Sequence, residues 1–377
     1  MKSILRFLFL ICITACKEKY NPEIHLPSSG LLVVEGFINS DTGSTTILLS
    51  RTAAIDHITE IPEAGAQIEV QSETGASYPL SEDRVGTYFV NQLSLDPTLK
   101  YRLHVRTSDG KEYLSDFSVV RKSKPIDSVG WKAGPDQLLI YVSTHDDQNN
   151  SVYYQWNYEE TWIYSSAYDS KIEFNARDSM IFDRPNSDLI HTCWKMNQST
   201  EIILGSTTNL SSDIVFQFPL LNISYFASNR LVSRYSILVK QMVLDKEWYE
   251  WKQRLRKNTE ELGSIFDGQP SETGGNFHCT TNPSEQVIGF VGCSSISEKR
   301  IFIDRTELPP VQVYSGYETC SMDTVPNMQR PLVYYFGSGY GVPIMPYEQY
   351  AFILGASAAC VDCRVKGGTT LKPDFWH

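Results

Sequence analysis

The chain has 377 residues, enough for two or three domains, and its 41% hydrophobic and 20% charged residues indicate a globular protein with a substantial core. Its net charge of −11 argues against nucleic-acid binding as a main role, because that role needs Lys and Arg side chains to neutralise phosphates. The 21 Tyr and 7 Trp favour β-structure and aromatic binding faces. No apolar run of about 18 residues follows residue 16, so we expect no membrane-spanning helix.

The N-terminal segment has the pattern of a secretory signal peptide over residues 1–15, with Lys2 and Arg6 around an almost wholly apolar run. Ile13-Thr14-Ala15-Cys16 is similar to a bacterial lipobox, in which the cysteine thiolate accepts a diacylglyceryl group. Each buried methylene of an acyl chain contributes about 0.8 kcal/mol, so two or three chains anchor a protein stably. We therefore predict lipidation at Cys16, a tether over residues 16–24 and anchoring in the outer membrane, on its surface or periplasmic face. The alternatives are an ordinary secreted protein or a core strand that begins at Met1.

Strict alternation of apolar and polar residues over 99–106 predicts the clearest strand, and Asp109-Gly110 then indicates a hairpin turn into residues 111–120. Further strand-like segments lie at 31–38, 45–50, 66–71 and 86–90. Such closely spaced short strands predict an immunoglobulin-like or transthyretin-like sandwich over residues 25–122. A polar, Pro-ended linker follows and leads into a second β-rich domain over residues 126–377.

The second domain is predicted to be mostly strands, with one amphipathic helix at about 245–262. Leu244, Trp248, Trp251, Leu255 and Leu262 form one apolar stripe at helical spacing. Asp245 is the expected N-cap and Gly263 the expected C′ residue, and the basic opposite face is expected to be solvated. Strands are predicted at 137–143, 230–243, 287–291, 300–304 and 332–336, and long loops over about 165–215. The predicted fold is mainly β: two consecutive β-sandwich domains, an inserted helix and a disulfide-stapled C-terminal part.

Six cysteines follow residue 16, all in the second half of the chain: Cys193, Cys279, Cys293, Cys320, Cys360 and Cys363. An even number in an exported chain predicts up to three disulfides, with 15 possible pairings that the sequence leaves open. Zinc is the competing interpretation of the C-x-x-C at 360–363, but no second close pair accompanies it. A thioredoxin-like role lacks the strand–turn–helix context. We therefore expect disulfides, no metal and no cofactor.

The aromatic stretch over residues 141–168 is the feature most suggestive of ligand contact. One face of this strand must fill a core, which is expected to use Tyr154 and its alternating neighbours. Tyr153, Tyr164 and Tyr168 remain as candidate ligand-binding residues, with core packing as the alternative.

No catalytic pattern is present in the sequence. The seven histidines are scattered without an H-E-x-x-H pairing. The glycine-rich run at 337–341 is followed by Pro343 and Pro346, where a phosphate-binding helix would have to begin. We therefore predict that the protein is not an enzyme, although an exported hydrolase with an unrecognised pair among its 44 acidic residues stays as an alternative.

Several segments together resemble the Bacteroidota lipoprotein family described as domain of unknown function 4249. They are Leu32-Val33-Val34-Glu35-Gly36, Tyr153-Tyr154-Gln155-Trp156, Glu160-Thr161-Trp162, Trp248-Tyr249-Glu250-Trp251, Ile265-Phe266-Asp267, Gly275-Asn276, Ile288-Gly289-Phe290, Asp362-Cys363-Arg364 and Lys372-Pro373-Asp374-Phe375-Trp376. Genes of this family commonly neighbour those of TonB-dependent receptors. The resemblance thus implies an accessory or substrate-binding lipoprotein of such a transporter, without established catalytic residues. A structural or adhesive surface module is the alternative function.

Overall fold

The computed structural model describes residues 30–53, 61–260 and 274–377, and the protein is mainly β. The predicted signal peptide, Cys16, the tether, Leu262 at the end of the predicted helix and Gly263 lie outside these residues. The strands are β1 (Leu32–Gly36), β2 (Ile38–Asn39), β3 (Thr45–Arg51), β4 (Ile61–Pro62), β5 (Gln67–Ser72), β6 (Ser77–Arg84), β7 (Thr87–Val90), β8 (Lys100–Arg106), β9 (Glu112–Ser115), β10 (Ser118–Arg121), β11 (Ser128–Ala133), β12 (Gln137–Asp146), β13 (Tyr153–Ser165), β14 (Ile172–Asn175), β15 (Met180–Asp183), β16 (Thr192–Gln198), β17 (Ile203–Ser206), β18 (Asp213–Ser224), β19 (Arg234–Val243), β20 (Phe277–Cys279), β21 (Val287–Ile288), β22 (Cys293–Ser294), β23 (Ile296–Asp304), β24 (Asp323–Pro326), β25 (Gly341–Tyr347) and β26 (Phe352–Ser357). The α-helices are α1 (Lys246–Thr259), α2 (Gln329–Leu332) and α3 (Ala358–Val361). A π-helical turn lies at Val333–Gly337, and 3-10 turns lie at Asn186–Asp188, Asn229–Leu231, Arg305–Glu307 and Cys363–Lys366.

The first sandwich is built from β1–β10, and β6 joins its sheets by pairing with β7 on one side and β5 on the other. The alternation predicted for β8 is present, because Tyr101, Leu103 and Val105 are buried in the core between the sheets. The period of two therefore sets which face of this strand meets the core.

The two sandwiches follow one another along the chain, but three short strands from the predicted second domain belong to the first sandwich. β20 pairs antiparallel with β9, and β21 pairs parallel with β1. β22 lies parallel between β2 and β10. The chain thus returns from the second domain to the first, where Phe277, Val287 and Val291 join the first core. These strands are two or three residues long, too short to carry a periodic pattern that would indicate their sheet.

The second sandwich packs the sheet β11-β12-β18 against the sheet β16-β13-β19-β23, with β17 also on β13. Its centre is the long aromatic strand β13. Tyr154 and Trp156 are fully buried and stack on each other, with ring centroids 5.5 Å apart. The prediction that this face of the strand fills the core is confirmed.

Helix α1 spans Lys246–Thr259, close to its predicted bounds, and the Asp245 carboxylate accepts a hydrogen bond from the Trp248 backbone N–H at 2.8 Å. The Trp248 ring lies between Phe37 and Phe290, at centroid distances of 6.2 and 6.4 Å. Both phenylalanines flank strands of the first sandwich, while the same cluster includes Met242 of β19. The helix therefore packs on both sandwiches. None of the helices in the described ranges is both long and apolar enough to cross a membrane.

The face of α1 expected to be solvated is not uniformly so. Lys252 is half-buried, and its ammonium lies 5.6 Å from the centroid of the Trp251 ring. Burial lowers the pKa of Lys252. Its side chain covers the tryptophan on the flank of the helix, as long cationic side chains commonly do.

The C-terminal part adds a small unit made of the hairpin β14–β15, the sheet β24-β26-β25 and helix α2. The strand predicted at 332–336 is wrong, because this segment is helical. Leu332 and Phe336, four residues apart, are buried, whereas Val333 and Tyr334 are exposed, which is a helical spacing. The loops expected over 165–215 contain β14–β17 and part of β18, so that prediction is also wrong.

Candidate functional site

Two disulfides staple the C-terminal part: Cys193 is bonded to Cys363, and Cys320 to Cys360. The two cysteines of the C-x-x-C therefore belong to different bridges, which excludes a shared zinc site or a vicinal redox pair in this state. The disulfide prediction is wrong for the remaining two, because Cys279 and Cys293 are buried free thiols.

Cys279 and Cys293 lie on β20 and β22, which pair with different strands of the first sandwich. Each thiol packs in the first core as a small apolar group. Burial raises the pKa of Cys293 to about 12, so this thiol stays protonated and unreactive at neutral pH.

The three tyrosines predicted to contact a ligand do not form one site. Tyr164 is a buried core residue whose hydroxyl donates to the Cys363 carbonyl oxygen at 2.7 Å, and it also lines the cleft described below. Tyr168 is half-buried and donates to the Cys320 carbonyl oxygen at 3.0 Å. Tyr153 packs on Tyr249 of α1, with ring centroids 4.8 Å apart.

A cleft of about 430 Å³ lies over the end of β13, beside the first disulfide. We call it the cationic cleft because three of its lining residues are basic and none is acidic. Its lining is Trp162, Tyr164, Lys195, Met196, Asn197, Ala227, Ser228, Asn229, Arg230, Tyr314, Gly316 and Lys366. This volume lies within the range of small-molecule sites.

Strand register and the disulfide bring the cleft residues together. Lys195 on β16 lies directly opposite Trp162 on β13, so both side chains are on one face of the sheet. Lys366 ends the 3-10 turn that begins at Cys363, and its carbonyl oxygen accepts a hydrogen bond from the Lys195 ammonium at 2.9 Å. The Cys193–Cys363 bridge therefore fixes the two walls that carry these lysines.

The three cations differ in how their charge is compensated. Arg230 donates to the fully buried Glu160 carboxylate at 2.9 Å, and Glu160 also accepts from the Tyr235 hydroxyl at 2.7 Å. Lys366 donates to the Gly316 carbonyl oxygen and lies 3.5 Å from the centroid of the Tyr317 ring. Burial lowers the pKa of Lys366, partly offset by the charge of Glu318.

The aromatic wall of the cleft has a buried and an exposed member. Trp162 is almost wholly buried, the Arg230 guanidinium lies 5.6 Å from its ring centroid, and its indole N–H has no partner in the part of the chain that the structure describes. Tyr314 is 43% exposed and presents its ring to the solvent. Of the three tyrosines predicted to contact a ligand, Tyr164 lines this cleft, and the other lining residues were not predicted because they come from distant segments and share no motif.

A second surface lies on the C-terminal unit. We call it the apolar groove after its exposed Met180 and Phe182 of β15 and Tyr350 of the β25–β26 turn. Its volume is about 660 Å³, and its floor includes Leu332 and Ile353. Polar residues also line it: Asp178, Ser179, Asp183, Asn327 and Gln329. Met180 is 57% and Tyr350 68% exposed. Exposed methionine and aromatic side chains around a groove are typical of protein-binding surfaces.

No group of three or more His, Cys, Asp or Glu in residues 30–53, 61–260 and 274–377 is placed to hold a metal ion. Neither the cationic cleft nor the apolar groove includes a histidine in its lining.

Comparison with known proteins gives one family and distant structural matches. Residues 17–300 match the family model described as Domain of unknown function (DUF4249). No curated protein matches the chain. The FN1–FN3 domains of chicken CNTN1 match at 13% identity and a TM-score of 0.20, over 55% of this chain and 59% of that one. The chitinase ChiA74 of Bacillus thuringiensis matches at 10% identity and a TM-score of 0.15, over 52% and 30%. Both alignments thus span less than two thirds of the matched chain.

Proposed function

We propose that this chain, which belongs to the DUF4249 family, is a non-enzymatic lipoprotein of the outer membrane that serves a TonB-dependent transporter as an accessory or substrate-binding partner. The lipobox-like sequence before Cys16 supports the anchor. Acyl chains on that cysteine would hold the two sandwiches at the lipid surface, within reach of a membrane-embedded receptor.

The apolar groove is the observation that supports the proposed receptor partner. Met180, Phe182 and Tyr350 each expose more than two fifths of their surface, although they surround a floor of buried side chains. Covering such a groove removes apolar area from water and is favourable by about 25 cal/mol per Å². Methionine and aromatic residues are enriched where protein partners bind. We assign the groove to an apolar segment of the receptor.

Affinity isolation from detergent-solubilised membranes tests this assignment. The wild-type protein is expected to co-purify with a large β-barrel receptor, and the double variant Met180→Asp with Phe182→Asp to recover at least tenfold less of it. Phe216→Asp is the matched control, because Phe216 is a 76% exposed aromatic residue on β18, outside the groove. Circular dichroism confirms that each variant is folded.

Two results would contradict the proposal: isolation of the wild-type protein without a receptor, or equal recovery with the groove variant and the Phe216 control. Deletion of the gene gives an independent readout, since lost nutrient uptake is expected. Lost surface attachment with unchanged uptake would instead support the structural or adhesive alternative.

A further inference from the structure

The cationic cleft concentrates positive charge in a chain whose net charge is −11. Lys195, Arg230 and Lys366 line it together without an acidic lining residue. Glu160 neutralises Arg230 but is fully buried, so its carboxylate does not face the solvent. In the described part of the chain, neither lysine has an ion-pair partner, and each ammonium donates to one carbonyl oxygen.

These lysines differ from ordinary solvated ones. Both are half-buried, which removes part of the water around each ammonium. An ammonium has three donors, so the carbonyl bond of Lys195 leaves two for another acceptor, and Lys366, whose ammonium also lies over the Tyr317 ring, keeps at least one. Among the residues that the structure describes, neither ammonium is in an ion pair, although the charge of Glu318 partly compensates that of Lys366, and a bound anion would offset the remaining cost of desolvation.

The other lining residues favour an organic ligand over a bare inorganic ion. The exposed ring of Tyr314 offers an apolar face, and Ser228 and Asn229 add a hydroxyl and an amide to the lining. Aromatic faces beside hydroxyl and amide groups suit a ring compound that carries its own hydroxyls. The volume of about 430 Å³ leaves room for an organic molecule.

From this arrangement we infer that the cationic cleft is a binding site for a small organic anion: a hydroxylated ring compound whose carboxylate lies between Lys195, Arg230 and Lys366. The carboxylate accepts hydrogen bonds from the lysine ammoniums and from the guanidinium donors that Glu160 does not use. The ring lies against Tyr314. This inference gives the proposed substrate-binding role a class of ligand. Binding of that ligand in the cleft does not require the receptor.

Isothermal titration of the full-length protein in detergent tests the site, with glucuronate as the carboxylate probe. Saturable binding is expected for glucuronate, at least tenfold weaker binding for inorganic phosphate, and none for glucose. The double variant Lys195→Gln with Lys366→Gln is expected to weaken glucuronate binding at least tenfold. Tyr314→Ala is a second variant, and it is expected to weaken glucuronate without affecting phosphate.

Lys299→Gln is the matched control. Lys299 is also half-buried and donates to backbone carbonyl oxygens, those of Ile126 and Asp127, but it does not line the cleft. This variant is expected to bind glucuronate as the wild type does. Absent glucuronate binding, phosphate binding as tight as that of glucuronate, or equal losses in the Lys299 control would each overturn the inference. Because the groove variant at Met180 and Phe182 should leave glucuronate binding unchanged, failure of receptor docking and failure of this site are distinguishable.

Discussion

Removing the Cys193–Cys363 disulfide should destabilise the second sandwich more than any single truncation of a thiol. The bridge joins β16 to the C-terminal 3-10 turn, and both cysteines are fully buried in the second core. The variant to test is Cys193→Ala with Cys363→Ala. It replaces both thiol side chains with methyl groups and removes the cross-link that restrains the C-terminal segment in the unfolded chain.

The magnitude follows from the size of the closed loop. The two cysteines are 170 residues apart, and the Cys320–Cys360 bridge, which itself closes 40, lies within that span. With the inner bridge intact, the shortest path along the chain is about 130 residues. The loop-entropy model then gives about 5 kcal/mol of stabilisation, and measured values commonly fall to 2–4 kcal/mol. We expect a loss within about 3–5 kcal/mol.

Urea unfolding monitored by tryptophan fluorescence measures this loss. All seven tryptophans lie outside residues 30–122 and 274–295, but the Trp248 ring packs between Phe37 and Phe290, so the signal reports the first sandwich as well as the second. Cys293→Ala is the control, because it removes a buried thiol without breaking a cross-link, at an expected cost of about 1 kcal/mol. A double-variant loss no larger than twice that of the control would refute the reasoning.

Two further predictions concern the first sandwich and its contact with the helix. Hydrogen bonds, first of all from His104, lower the pKa of Glu69 from 4.5 to about 2. The carboxylate therefore stabilises the folded state above pH 4.5, and this stability is lost as the pH falls from 4.5 towards 2. Glu69→Gln should lower the free energy of unfolding by up to about 1 kcal/mol at pH 7 and by less at pH 3. Urea unfolding followed by circular dichroism measures both values. Trp248→Ala removes the ring between Phe37 and Phe290 and should cost about 3–5 kcal/mol. Calorimetry should then show the two sandwiches unfolding in separate transitions.

Local periodicity explains which elements could be predicted from the sequence. The buried positions of β8 and the apolar stripe of α1 both follow from side-chain geometry within one element, so each is visible in a short window. The N-cap at Asp245 is equally local, because its acceptor and the Trp248 N–H are three residues apart.

The remainder depended on contacts between distant segments. β21 pairs with β1 at the edge of the first sandwich. A strand of two residues is too short for its sequence to indicate which sheet edge it joins. The cysteine pairing was open for the same reason: Cys193 meets a partner 170 residues away. The cationic cleft could not be predicted for the same reason, since Lys195 and Lys366 become neighbours only after the bridge brings their segments together.

Both candidate surfaces are built across the end of the family match at residue 300. The floor of the cationic cleft comes from β13 and β16, whereas Tyr314 and Lys366 come from the segment beyond it. The apolar groove likewise combines β15 with the β25–β26 turn. Because the Cys193–Cys363 bridge ties this later segment to the sandwich, its side chains are held against a rigid scaffold. Substitutions at its exposed positions, such as Tyr314 and Tyr350, are therefore expected to change the two surfaces and to leave both sandwich cores intact.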